Sequence, residues 1–168
     1  MEIVEKFAEQ SVYRLNESFR MINKCFDQLS EEEIWKRPNA SANSIGTLII
    51  HVCGNITQYV ISSLGNREDK RNRDNEFATH SGFSKAELLA KLENTLQQAK
   101  EVIIHASEAE LVKMHSVQGF NLPGLGNVIH IVEHLSYHTG QIALLTKLMI
   151  NKDLGFYDGI DLNVKNKQ

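Results

Sequence analysis

Four long stretches of this chain repeat apolar residues every three or four positions, and only Pro38 and Pro123 interrupt its 168 residues. That period marks helices with one buried face, and prolines fall where helices stop. From Ile3 to Leu29 the series is Val4, Phe7, Val12, Leu15, Phe19, Met21, Ile22, Cys25 and Phe26. Ser30 with Glu33 forms a capping box for a short helix or turn through Ile34 and Trp35. Pro38 to Asn43 breaks the pattern, and Asn43 or Ser44 caps a second helix from Ile45 to Leu64, with Gly65 as its stop. Ser84 with Glu87 opens a third helix to about Ala106, which buries Leu88, Leu89, Leu92, Leu96, Ala99, Val102 and Ile103. Residues 107–123 read as a loop or as a short extended excursion. The last helix begins between Leu122 and Leu125, with Asn121 as its cap, and runs to about Ile150. The expectation is an all-α chain, a four-helix bundle of up-down helices with a long polar loop after the second, in a single domain over residues 1–168.

A formal charge of −3 supplies no basic stripe, so no nucleic-acid partner is expected. The N-terminus has no basic segment followed by an apolar one, and no uninterrupted apolar run approaches the roughly 18–20 residues that span a bilayer. A cytoplasmic protein without a membrane partner is expected. In that setting Cys25 and Cys53 read as free buried thiols rather than a disulfide.

Three of the seven histidines stand four residues apart, at His130, His134 and His138. On a helix, residues at i and i+4 lie one above the other, so a neighbouring pair can aim ring nitrogens at one point. Two imidazoles are an incomplete metal site, because zinc and its neighbours take at least three protein ligands. The second helix offers the third. Beside its apolar positions runs a polar stripe, Thr47, His51, Asn55, Gln58 and Ser62, which a purely structural core helix does not need. Cys53 lies around the other side. Taken alone, an H-x-x-x-H pair is commonly two partly buried or surface histidines, and a lone His51 a satisfied core residue. Spacing also leaves the pair open between His130/His134 and His134/His138. Asn55 and Gln58 read equally as groups that orient a ligand or substrate and as ordinary polar wall. His80 and His105 read as surface residues.

The connection from Gly65 to Phe77 is densely polar and reads as a solvated loop. The alternative is that Arg71 or Arg73 reaches over the site to hold an anionic substrate, since a guanidinium fork suits carboxylate and phosphate.

The segment Asn43 to His51, followed later by His134-x-x-x-His138-Thr-Gly-Gln-Ile142, resembles the DinB/YfiT-like superfamily, and Ser30 to Trp35 fits the same layout. His51-Val-Cys-Gly-Asn55 together with Arg71 to Phe77 resembles most its DUF1572 branch. The resemblance implies a four-helix bundle, a homodimer, and a divalent metal held by His51, His134 and His138; imidazole ligands suit zinc, nickel, iron or copper, and zinc or nickel is expected. It sets His130 aside, because the family's final ligand stands directly before the Gly-Gln-Ile segment. Many relatives carry arginine where this chain has Thr139. Characterised relatives imply an enzyme acting on a small-molecule substrate, a transferase using a low-molecular-weight thiol such as bacillithiol or mycothiol. The alternatives are a metal-dependent hydrolase of a small amide or ester and a non-catalytic bundle that binds metal or a partner.

Overall fold

The structure, a computed structural model, describes residues 2–167. In chain order the elements are α1 (Glu2–Gln28), α2 (Glu31–Trp35), α3 (Ile45–Ile56), α4 (Arg73–Ala78), α5 (Lys85–His105), α6 (Glu108–Val112), β1 (Met114–Val117), β2 (Phe120–Pro123) and α7 (Gly124–Ile150). Past Ile56, α3 continues without a break as a wider π-helical segment, Thr57–Leu64. Serine capping boxes open α2, α5 and α6 at Ser30, Ser84 and Ser107, each closing two otherwise unpaired backbone N–H groups. Asn121 does not cap α7. It pairs with Ser116 in a hairpin, and Pro123 precedes the helix without a side-chain cap. Residues 107–123 thus hold a helical turn and the extended excursion. The hairpin closes through Gln118 and Gly119, both at positive φ, the backbone that a two-residue loop requires.

The four long helices close a ring. α1 packs on α7 and α5, and α3 with its π segment packs on the same two. Their directions follow from what meets what. Lys85 at the start of α5 meets the Leu29 carbonyl just past the end of α1, while Asn16 meets Lys100, which makes that pair antiparallel. Arg20 and Lys24 of α1 reach the carbonyls of Phe156 and Gly155 just past the end of α7, which makes that pair parallel. Ser63 meets Asn127 while His51 meets His134, so α3 and α7 are antiparallel. The bundle therefore runs up, down, down, up. The connection from Gly65 to Ser84 makes this possible, because some twenty residues, even with six of them coiled in α4, can return along a helix of about 30 Å.

One face of each helix fills the core. On α1 it is Ala8, Ser11, Leu15, Ser18, Ile22, Cys25 and Phe26; on α5 it is Leu88, Leu92, Leu96, Ala99 and Ile103. Ile45–Leu64 is long and apolar enough to cross a membrane by length and composition, beyond what the interrupted apolar pattern led us to expect. Its apolar window is 78% buried, as suits the bundle's central helix. Both cysteines are buried and unpaired.

Candidate metal centre

α3 carries its polar stripe into the bundle rather than towards water. Thr47 donates to the carbonyl of Thr79, and Ser62 to that of Glu68, so both lie under the Gly65–Ser84 connection. Gln58 joins Arg71 and Asp69 of the same connection. His51 and Asn55 face α7 instead. On α7 the core-facing series Val128, Ile131, Leu135, Ile142 includes His138, and His134 sits at its edge.

Three ring nitrogens converge there. His51 Nε2 lies 3.3 Å from His134 Nε2, and His138 Nε2 lies 3.3 Å from the same atom. One ligand atom from each of the three rings falls within 4.8 Å of the others. His51 and His138 are buried, and His134 is half-buried.

The outer nitrogens set the tautomers. His51 Nδ1 donates to Glu76 Oε2 at 2.9 Å, and His138 Nδ1 donates to Gln141 Oε1 at 2.8 Å. Both therefore turn an Nε2 lone pair towards His134. A proton on His134 Nε2 satisfies only one of them and leaves two lone pairs opposed. A cation bound at the usual zinc–nitrogen length of about 2.0–2.1 Å satisfies all three, and a tetrahedral site of that size has edges of about 3.3 Å. The donor set fits a divalent metal, and the two 3.3 Å spacings to His134 match that edge.

The electrostatics agree. Burial, then the imidazoles of His138, His51 and His130 and the charge of Arg71, push His134 down to about 3. Burial also holds His138 below the ordinary histidine range, against a bond to Gln141 and helped by His51. Neutral rings with free lone pairs are what metal ligation needs.

The model of the family described as "Protein of unknown function (DUF1572)" matches residues 2–157. This chain belongs to the DUF1572 family. Three solved structures share the fold of this DUF1572 chain. A conserved protein from Enterococcus faecalis is 15% identical, with a TM-score of 0.73, over 86% of this chain and 97% of its own. A DinB-like protein from Bacillus cereus is 15% identical, with a TM-score of 0.64, over 85% and 90%. A DinB-like protein from Bacillus subtilis is 14% identical, with a TM-score of 0.63, over 83% and 91%. No curated protein matches.

Within this DUF1572 bundle the other sequence candidates take different places. His130 turns away from the three. Its Nε2 accepts from Asn55 Nδ2 at 3.1 Å, and its ring stacks on Tyr59 at 3.9 Å. Asn55 thus acts on His130 rather than on a ligand. Gln58 lies behind the centre, on Arg71. Arg71 does meet a carboxylate, but the chain's own: Glu76, at 2.8 and 3.0 Å. Its side chain is 3% exposed, so the connection is not simply solvated there. Arg73 lies over the ring of Phe77, 4.7 Å from its centre, and Phe77 packs against His51. Thr139 is buried and bonds its hydroxyl to Leu135 of its own helix, which leaves no anion contact from that position. Cys53 faces α5, where burial pushes its thiol up to about 11 despite a bond from Thr95. His80 and His105 are exposed.

Glu76, Phe77 and Gln141 were missed as parts of the site. Phe77 is the one aromatic in the polar stretch from Gly65 to Thr79, a signal that this stretch folds inward. Glu76 beside it carried no distinguishing signal among the charges around it.

Proposed function

We propose that this chain is a metal-dependent enzyme that transfers a low-molecular-weight thiol to a small electrophile, with zinc or nickel held by His51, His134 and His138. One observation carries the reading. Three imidazoles converge by Nε2, and no carboxylate or cysteine joins them among the described residues. Structural zinc sites are closed by four protein ligands, whereas three with an open position mark catalytic ones. A divalent ion at such a site supplies Lewis-acid charge, which lowers the pKa of a thiol or a water molecule beside it.

The chain's residues do the rest. Glu76 and Gln141 hold the His51 and His138 rings in orientation. Phe77 packs on the His51 ring, and the exposed Tyr137 lies edge-on to His138 at 5.1 Å. In the transfer, the thiol sulfur forms a bond to the electrophilic carbon, the leaving group departs with its electron pair, and the thiol proton is released. The reading also carries a homodimer, which sedimentation tests, and a cytoplasmic setting.

The test begins with elemental analysis of protein purified without chelator, where about one zinc or nickel per chain is expected. Turnover of a small electrophile is then followed with and without added thiol. Product formed only with thiol supports transfer. Turnover of a small ester or amide without thiol moves the assignment to a hydrolase. Absence of metal in protein that stays folded overturns both.

A further inference from the structure

Glu76 is the one acidic side chain buried among the described residues. A buried carboxylate is costly unless each oxygen is met, and an apolar side chain would fill the same space more cheaply. Here both oxygens are met. Oε1 accepts from Arg71 Nε at 2.8 Å; Oε2 accepts from Arg71 Nη2 at 3.0 Å and from His51 Nδ1 at 2.9 Å. Arg71 is itself fixed, donating from Nη1 to Gln58 Oε1 at 2.9 Å, and from its backbone N–H to Asp69 at 3.0 Å.

A second local irregularity sits against the first. Gly54 lies in the middle of the continuous helix that α3 forms with its π-helical segment, where glycine weakens a helix relative to alanine. A Cβ at that position would lie 1.9 Å from Glu76 Oε1 and 3.2 Å from Arg71 Nε. The glycine opens the helix surface at the spot where the carboxylate rests. A mid-helix glycine and a buried acid are each unfavourable alone. They coincide at one contact, and that contact ends on a histidine of the centre.

We propose that Glu76, clamped by Arg71 and admitted by Gly54, is a positioning residue that keeps the His51 proton on Nδ1 and turns Nε2 to the metal. An ionised carboxylate held by a guanidinium only accepts hydrogen bonds, so the ring has one tautomer that fits. The same bond raises the basicity of the ligating nitrogen and fixes the plane of the ring. The effect on metal affinity rests on the metal reading above; the tautomer does not. Glu76 also stands on α4, a helix too short to hold itself, inside the connection between α3 and α5. Metal at His51 and the seating of that connection therefore strengthen each other.

The test uses the full chain and Glu76→Gln, which keeps the shape but offers only one acceptor oxygen. Nitrogen–proton correlation spectra of the metal-free histidines report the tautomer directly. His51 is expected to carry its proton on Nδ1 in the parent, and to populate the Nε2-protonated form in E76Q. Zinc affinity, measured by competition with a chromophoric chelator, is expected to fall about 10- to 100-fold in E76Q. Hydrogen exchange of residues 72–78 is expected to slow on adding zinc to the parent, and to respond less in E76Q. Parent His51 protonated on Nε2, or E76Q holding zinc within about twofold of the parent, overturns the proposal; a tenfold loss is the usual least effect of such partners. A parent that binds no zinc defeats the metal reading, while the tautomer still decides the role of Glu76.

Should E76Q fail to fold, Gly54→Ala makes the same test with the carboxylate intact, and the same tautomer change and zinc loss are expected. Gly46→Ala is its control. It makes the same exchange on the same helix, but its new Cβ meets the Trp35 ring at 2.7 Å rather than Glu76. It is expected to leave tautomer and zinc affinity unchanged, and equal losses in both alanine variants overturn the proposal.

Discussion

The two sides of the centre are built differently. On the α3 side His51 rests on an ionised carboxylate, which rests on a guanidinium, which rests on an amide, all within hydrogen-bond distance. On the α7 side His138 Nδ1 has a single neutral partner, Gln141, and the buried Nδ1 of His134 has none among the described residues. The His134 ring leans only on its neighbours, stacked 5.4 Å from His130. A charged chain of bonds fixes one ligand, while packing alone places another. On the proposed metal reading, the α3 side would hold its ligand by charged bonds, and the α7 side would hold His134 by packing alone.

The comparison breaks most sharply at His51. His51→Ala is expected to take metal content from about one per chain to near zero, because two imidazoles do not make a site. Elemental analysis reads this directly, and unchanged content would end the assignment. Next come the braces. Arg71→Met leaves Glu76 buried without its cation, and removing one partner of a buried pair costs about 3–5 kcal/mol. Gln141→Ala removes one neutral bond, worth about 1 kcal/mol. Urea midpoints measure both, and equal losses would mean that the two sides are braced alike.

Acid separates the sides as well. A histidine held down to about 3 in the fold takes up a proton near 6.5 when unfolded. The unfolded chain then binds more protons across that interval, so the metal-free protein loses stability as pH falls from about 6.5 towards 3 and keeps it above 6.5. Glu76 acts lower. Burial pushes its carboxyl up, but the hydrogen bonds and charges of His51 and Arg71 outweigh that and hold it below the ordinary range. Its contribution is present above the unfolded carboxylate value of about 4.3 and is lost as pH falls through the folded one. Urea midpoints followed downward from pH 7 are expected to decline first through His134. A midpoint flat to pH 5 would mean that the α7 side is not buried as described.

Much of this was legible in the chain because helical periodicity fixes which face is buried. Leu15, Ile22, Leu92 and Leu96 fall where three-and-four spacing puts them. The capping boxes at Ser30 and Ser84 set two boundaries by local bonding alone. The i, i+4 rule puts His130, His134 and His138 along one side of a helix and leaves two pairs open; the resemblance to the DinB/YfiT-like superfamily is what implied His134 and His138 with His51. Other features depend on contacts that sequence spacing does not encode. The π turn after Ile56 has no simple residue signature, yet it steers Gln58 towards the connection while Tyr59 faces α7. The partnership of His51 with Glu76 joins residues on separate helices across a polar segment full of other acids. The hairpin was legible only as a loop or a short extended excursion, because its turn residues, Gln118 and Gly119, are a weaker signal than Asn-Gly.

The smallest expected effect concerns the histidine left out. His130 and His134 have the same spacing as His134 and His138, so the helix itself does not choose between the pairs. The partners across the bundle do. Asn55 takes His130 Nε2, Tyr59 covers one face of its ring, and the Tyr59 hydroxyl is anchored on Gln118 at 3.0 Å. Burial holds His130 below its ordinary value, with Glu133 opposing and Arg71 adding, so it too sits neutral beside the centre without joining it. His130→Phe keeps an aromatic ring on Tyr59 and removes only the bond from Asn55. Metal content is expected to stay at about one per chain, affinity to change by less than the roughly tenfold lost with a true supporting partner, and stability to change by about 1 kcal/mol. Loss of the metal in that variant would place His130 among the ligands and reverse the contrast between the two sides, since the α7 side would then carry the fixed geometry and His138 the adjustable place.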